Sequence, residues 1–281
     1  MTQKSISIQN KQVQYTVSGE GNPVVLVHGF GEDSDVWRYQ LEDLSKDYQL
    51  IIPDLPGSGK SEMIEDMSIE GLADCVKEIV DHELLKNLPP SGVKGLGGVI
   101  IIGHSMGGYI TLALAAKYPD LLQGFGLFHS TAFADSDEKK TARRRSIEFI
   151  QTHGSDEFIR QSTPNLFTEA YRIKNNAILE DMMARYSNFD PLALIAYYEA
   201  MIQRPDRTAV LKSFNKPILF IIGKNDKAIP FEDSMKQSHL PQLASVQILE
   251  KAAHMGMWEE KEKSSQALLS FLRLTQQFNL H

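Results

Sequence analysis

Short continuous apolar runs alternate along this chain with longer stretches whose apolar positions recur every three and four residues. Val24 to Val27, Leu50 to Ile52, Val99 to Ile102, Phe125 to Phe128 and Pro217 to Ile222 run without polar interruption, the pattern of strands buried on both faces. Val246 to Leu249 adds one more strand, and Ile6 to Ile8 and Val13 to Ser18 read as an edge hairpin around the polar turn Gln9-Asn10-Lys11. Between these runs, Asp35 to Leu44, Ser68 to Leu88, Met106 to Tyr118 and Phe231 to Ser238 have helical spacing. Ser68 is a fitting N-cap, and Pro89-Pro90 and Pro119 are stops. A final amphipathic helix carries Ala267, Leu268, Phe271 and Leu272. The alternation predicts an α/β fold, a mostly parallel sheet of about eight strands with helices on both faces.

The alternation stops between residues 133 and 214. That block predicts charged helices at 137–153, 155–161, 168–175, 177–186 and 191–203, rich in large apolar side chains such as Phe149, Phe158, Tyr171, Met182 and Met183. The organisation expected is a core of residues 1–132 and 215–281 carrying a helical insertion at 133–214. No internal repeat or low-complexity tract interrupts it.

Composition narrows the partners. The 281 residues are 42% hydrophobic and 23% charged with a net charge of -7, ordinary globular material that argues against a nucleic-acid partner. The one basic run, Arg143-Arg144-Arg145, reads as a solvated helical turn beside Asp137, Glu138 and Glu148. No apolar run approaches the ~20 residues of a membrane helix, and Met1 to Asn10 lack a basic-then-apolar leader pattern. The single cysteine, Cys75, sits among Leu72, Val76, Ile79 and Val80 as a small core residue. A cytoplasmic location is expected. The sequence leaves open whether the chain is a monomer or a homodimer.

The chemistry centres on Gly103-His104-Ser105-Met106-Gly107, at the junction of a strand and a helix. G-x-S-x-G in that context is the pattern of a nucleophile held on a tight turn, where the glycines make room for a strained serine. A serine hydroxyl needs a base to take its proton and an acid to orient the base. His254 and Asp226 follow the last two strands, so parallel strands should bring Ser105, Asp226 and His254 to one edge of the sheet. Asp135 is a second candidate for the acid. A third post-strand loop, His28-Gly29-Phe30-Gly31, lets the backbone approach a ligand, which makes Gly29 a candidate for substrate binding. His129, at a strand end, and Trp258 are candidates for the pocket wall, and His104 is expected to point away from the nucleophile and serve packing. Gly59-Lys60-Ser61 invites a phosphate-loop reading, but that motif needs glycine where Asp54 stands.

With these motifs and Asp54-Leu55-Pro56-Gly57-Ser58-Gly59-Lys60-Ser61, Gly223-Lys224-Asn225-Asp226 and Ala253-His254, most of the chain resembles the α/β-hydrolase fold superfamily, in its cap-bearing serine esterase-like form. The resemblance implies Ser105 as nucleophile, His254 as base, Asp226 as its orienter, the amides of Phe30 and Met106 as oxyanion hole, and 133–214 as a lid. Related epoxide hydrolases and haloalkane dehalogenases carry an aspartate where Ser105 stands.

The expected activity is hydrolysis of small, fairly apolar carboxylic esters through an acyl-enzyme, with no metal or organic cofactor. A C–C hydrolase, lactonase, thioesterase or amidase with the same residues, and a ligand-sensing pocket with little turnover, stand as alternatives.

Overall fold

The protein was analysed as a computed structural model that describes residues 1–86 and 98–279. The closure of the second helix at Pro89-Pro90 and most of the loop after it lie outside the described residues.

Eight strands form one sheet: β1 (Thr2–Ile8), β2 (Lys11–Ser18), β3 (Asn22–Val27), β4 (Tyr48–Pro53), β5 (Val99–His104), β6 (Leu122–Phe128), β7 (Ile218–Gly223) and β8 (Ala244–Leu249). Their order is β1-β2-β4-β3-β5-β6-β7-β8. The pairs β1/β2 and β2/β4 are antiparallel and the rest parallel. Position in the sheet explains the hydrophobic pattern. The uninterrupted β5 and β7 are buried at every residue, whereas the edge strands β1 and β8 alternate between exposed and covered positions. The edge hairpin turns through Gln9 and Asn10 in the left-handed region, at φ 53° and 63°, the geometry of a two-residue hairpin loop.

Helices α1 (Arg38–Leu44), α2 (Ile69–Lys86), α3 (Met106–Lys117), α4 (Asp137–Ser162), α5 (Glu169–Lys174), α6 (Asn176–Tyr186), α7 (Pro191–Gln203), α8 (Thr208–Ser213), α9 (Phe231–Ser238), α10 (Gly256–Glu259) and α11 (Lys261–Phe278) surround the sheet. The Ser68 hydroxyl accepts from the Gly71 N–H at 3.0 Å, capping α2 as its sequence position predicts. Helix α3 is apolar all round and buried along nearly its whole length, as a helix enclosed between the sheet and α2 must be. α11 instead buries one stripe, including Leu268, Phe271 and Leu272.

Helices α4 to α8 lie between β6 and β7 in the chain. The two segments expected at 137–153 and 155–161 form one element, α4, bent where Gly154 takes φ 83° and ψ 176°. The non-helical glycine separates two helical segments within this span, at the position where the spacing predicts the break. Short α8 and α10 carry no apolar period in the sequence, because an element of one or two turns has too few apolar positions to show one.

The tightest packing is at the β5–α3 turn. A Cβ on Gly103 would collide with the Gly107 backbone, one on Gly107 with the Val27 and His28 carbonyls, and one on Gly108 with the Ser130 side chain. Gly107→Ala therefore forces backbone apart and is expected to lower Tm by roughly 5–10 °C, at a cost of about 3 kcal/mol. Thermal unfolding followed by circular dichroism checks this, and an unchanged Tm contradicts the packing.

Candidate active site

The strand order reverses at β3, which lies between β4 and β5. In open α/β sheets such a reversal leaves a crevice at the carboxyl ends of the strands. Val27 pairs with Gly103 across β3 and β5, so the His28–Gly31 loop and the Ser105 turn leave the sheet side by side.

Ser105 adopts φ 50° and ψ -114°, a region that costs a non-glycine residue of order 1–3 kcal/mol. The surroundings hold it there. Its N–H donates to the Phe128 carbonyl at 2.9 Å, and its carbonyl accepts from the Gly108 N–H at 3.0 Å and the Ser130 hydroxyl at 2.7 Å. At the N-cap of α3 its side chain makes no capping bond. It lines a cavity of about 170 Å³ together with His254, Phe30, Tyr109 and residues of α4 and α7.

The two loops after β7 and β8 bring an acid to a base. His254 Nδ1 lies 2.8 Å from Asp226 Oδ2, with both side chains buried. The other oxygen, Oδ1, accepts from the Ala228 and Ile229 N–H groups at 2.8 and 2.9 Å. Burial pushes the Asp226 carboxyl up, but the charge and hydrogen bond of His254, with His129 and the Ile229 N–H, outweigh it and hold the group below its ordinary value. Asp226 thus stays ionised at neutral pH and fixes the ring so that Nε2 is left free for exchange with a reacting group.

The remaining candidates separate. Gly29 lies against the serine, since a Cβ there would stand 3.1 Å from Ser105 Cβ and 3.0 Å from His104 Nδ1; its N–H is taken by Glu32 Oε2 at 2.7 Å. Phe30 lines the cavity. Met106 opens α3, and an N–H in a helix's first turn has no intrahelical acceptor. His129 is buried beneath the pair, with Nδ1 3.0 Å from the Gly223 nitrogen and Nε2 3.1 Å from the Gly256 nitrogen. It is not brought to the cavity wall. Nor is Trp258, whose Nε1–H donates to the Val36 carbonyl at 3.0 Å while its ring packs against Tyr39 beside a different cavity. Asp135 is held by Arg143 and Arg204, at 2.5 and 2.8 Å, while Asp226 faces His254.

Two readings are corrected by the side chains. Arg144 and Arg145 are exposed, but Arg143 turns inward and lines the Ser105 cavity with its side chain 12% exposed. His104 does point away from the cavity, yet it is more than packing. Its Nδ1 lies 2.9 Å from Glu32 Oε2 and its Nε2 lies 3.0 Å from the His254 carbonyl. Burial disfavours both charges, yet the mutual attraction of Glu32 and His104 raises the histidine and lowers the carboxyl. Glu32, one residue past the glycine loop, had no motif to mark it. Among the described residues no group of three or more His, Cys, Asp or Glu side chains is arranged to hold a metal ion.

The Glu32–His104 pair makes stability pH-dependent. A raised histidine contributes fully below its ordinary value of 6.5 and less as pH climbs through its folded value; a lowered carboxyl contributes above its ordinary 4.5 and less as pH falls through its folded value. Glu32→Gln leaves a buried charge without its partner, a loss of about 3–5 kcal/mol. The Tm difference from the parent is expected to be largest between about pH 4.5 and 6.5 and to shrink above it; a difference that grows steadily toward pH 9 contradicts the assignment.

A family model described as alpha/beta hydrolase fold matches residues 22–261. The (E)-2-((N-methylformamido)methylene)succinate hydrolase of Acinetobacter baylyi is 25% identical over 98% of this chain and 100% of its own length. The pimeloyl-[acyl-carrier protein] methyl ester esterase of Yersinia pseudotuberculosis is 26% identical over 93% of this chain and 97% of its own. A thermophilic esterase from Thermogutta terrifontis, solved with malate bound, superposes with a TM-score of 0.87 at 28% identity, covering 98% of this chain and 99% of that one. The chain belongs to the alpha/beta hydrolase fold family and is a hydrolase.

Proposed function

We propose that the protein is a serine hydrolase that cleaves small carboxylic esters through an acyl-enzyme. The observation that carries this reading is the buried 2.8 Å contact between His254 and Asp226 beside the cavity that the strained Ser105 also lines. Ser105 Oγ attacks the ester carbonyl carbon while His254 Nε2 takes its proton. The Phe30 and Met106 N–H groups hold the oxyanion, a contribution of about 3–4 kcal/mol per donor. His254 then returns the proton to the departing alcohol, takes one from the water that attacks the acyl-enzyme, and passes it to Ser105 Oγ as the acyl–oxygen bond breaks and the acid leaves. Asp226 keeps the ring oriented and stabilises the imidazolium. Residues 133–214 serve as the lid over the cavity, and the substrate is a small molecule met in a reducing, cytoplasmic setting, which suits the lone thiol of Cys75.

The Yersinia and Thermogutta relatives, named as esterases, support the ester bond. A second reading, hydrolysis of a C–N bond by the same residues, draws on the name of the Acinetobacter relative. A panel of aryl esters and formamides, ranked by kcat/KM, separates the two.

Ser105→Ala is expected to lower kcat on a short aryl ester by roughly 10⁴-fold or more with Tm within a few degrees of the parent, and a fluorophosphonate should label only the parent. Turnover that survives in the variant overturns the nucleophile. Asp226→Asn should cost roughly 10⁴-fold in kcat through the wrong imidazole tautomer; stopped-flow release of the aryl alcohol reads it, and a change below tenfold removes Asp226 from the mechanism.

A further inference from the structure

We propose that the Ser105 cavity takes acyl substrates that carry a free carboxylate, held by Arg143 and Lys139 of α4. This rests on the serine-hydrolase reading above and names the substrate class of that site. Lys139 and Arg143 are four residues apart, one above the other on a single helix face, and both line the cavity with Ser105 and His254.

Their charge is not balanced. Arg143, Lys139 and Arg204, which stacks over the Tyr109 ring at 3.8 Å, surround one carboxylate, Asp135. Asp206 also feels Arg204, so three cations stand against two anions at and behind this wall, a net positive charge in a chain whose net charge is -7. Glu32, the acid that lines the cavity, is already matched by His104 at 2.9 Å. Lys139 Nζ donates to the Ala228 carbonyl at 2.9 Å, a neutral partner. Asp135 engages Arg143 through Nε at 2.5 Å, which leaves the two terminal nitrogens, the edge that takes a carboxylate in bidentate fashion.

Taking cations out of water without full compensation is costly, so an anion entering the cavity completes an arrangement the fold has already assembled. Tyr109 registers the same field. Burial should push this phenol up, yet the charges of Arg204, Lys139 and Arg143 bring it below its ordinary value. A second space of about 110 Å³ shares Phe30, Leu166 and Tyr198 with the first and is walled by Phe158, Ile159 and Met182. The substrate therefore presents a carboxylate toward the Lys139–Arg143 end of α4 and an apolar arm toward its Phe158–Ile159 end.

The test compares monomethyl with dimethyl esters of succinic, glutaric and adipic acids on the full chain at low salt, with fluorophosphonate labelling of Ser105 alongside. A charge-assisted contact predicts that for at least one acid the monoester exceeds the diester in kcat/KM by about tenfold or more. Arg143→Gln should reduce that ratio at least tenfold through KM, and Lys139→Gln should reduce it less, as should raising the salt. Equal kcat/KM for both esters of all three acids while Ser105 still labels overturns the carboxylate subsite alone, as does a parallel fall of both rates in Arg143→Gln with the ratio unmoved. Failure of Ser105 to label removes the serine-hydrolase reading and the subsite with it.

Discussion

Close approach of backbones at the β5–α3 turn is the constraint on which the rest of the site depends. Gly103, Gly107 and Gly108 are the positions where the elbow strand, its helix, β3 and the loop after β6 come too near for a Cβ. A serine at φ 50° is unfavourable by itself. Here it is stabilised by hydrogen bonds with the end of β6 and with Ser130 just past it, together with the Gly108 N–H of the turn itself, so sheet and turn meet the strain jointly. The same proximity brings the Phe30 loop, the Ser105 turn and the His254 loop to one crevice. Substrate contacts can then be supplied by loops and helices that the sheet does not constrain.

Three buried histidines, His104, His129 and His254, lie with ring centroids 5.0 to 6.2 Å apart, and the fold assigns them opposite behaviours. His104 faces Glu32 and is drawn toward the charged form. His129, pushed by burial well below its ordinary value, stays neutral although Asp226 lies 3.4 Å away. Its ring nitrogens face the Gly223 and Gly256 nitrogens; a neutral imidazole can accept from one of these N–H groups, and a second proton would remove that acceptor and set donor against donor. Asp226 is thereby left to serve His254. Two carboxylates and three imidazoles in one cluster do not compete, because backbone geometry has already selected the partner for each.

The fold was legible because the strands at the middle of the sheet are covered on both sides, which leaves uninterrupted apolar runs, and because glycines mark the turns. The approach of Asp226 to His254 could be anticipated from parallel topology: both residues follow strand ends, and strand ends share an edge. Arg143 could not. Within Arg143-Arg144-Arg145 nothing in the spacing tells which guanidinium turns inward, since that depends on where α4 sits over the core. Glu32 and His104 escaped for a related reason. Their importance arises from a contact 72 residues apart in the chain, and no local pattern announces a buried ion pair. Trp258 illustrates the reverse error: a large side chain four residues past His254 lies near it in sequence, yet a short helix carries it to another face.

The helical block is stitched to both of the loops that carry the acid and the base. The His254 N–H donates to the Leu166 carbonyl at 2.9 Å, and Lys139 reaches the Ala228 carbonyl one residue before Ile229, whose N–H holds Asp226. Any displacement of that block large enough to admit a ligand must stretch or break these tethers. In the lid role proposed for this block, loading and readiness would be mechanically linked: with the block raised, the imidazole and its carboxylate would lose supports that hold them in register, and would regain them only when it settles. A molecule too bulky to let the block seat would occupy the crevice and remain intact, so selectivity would reside in closure as much as in affinity.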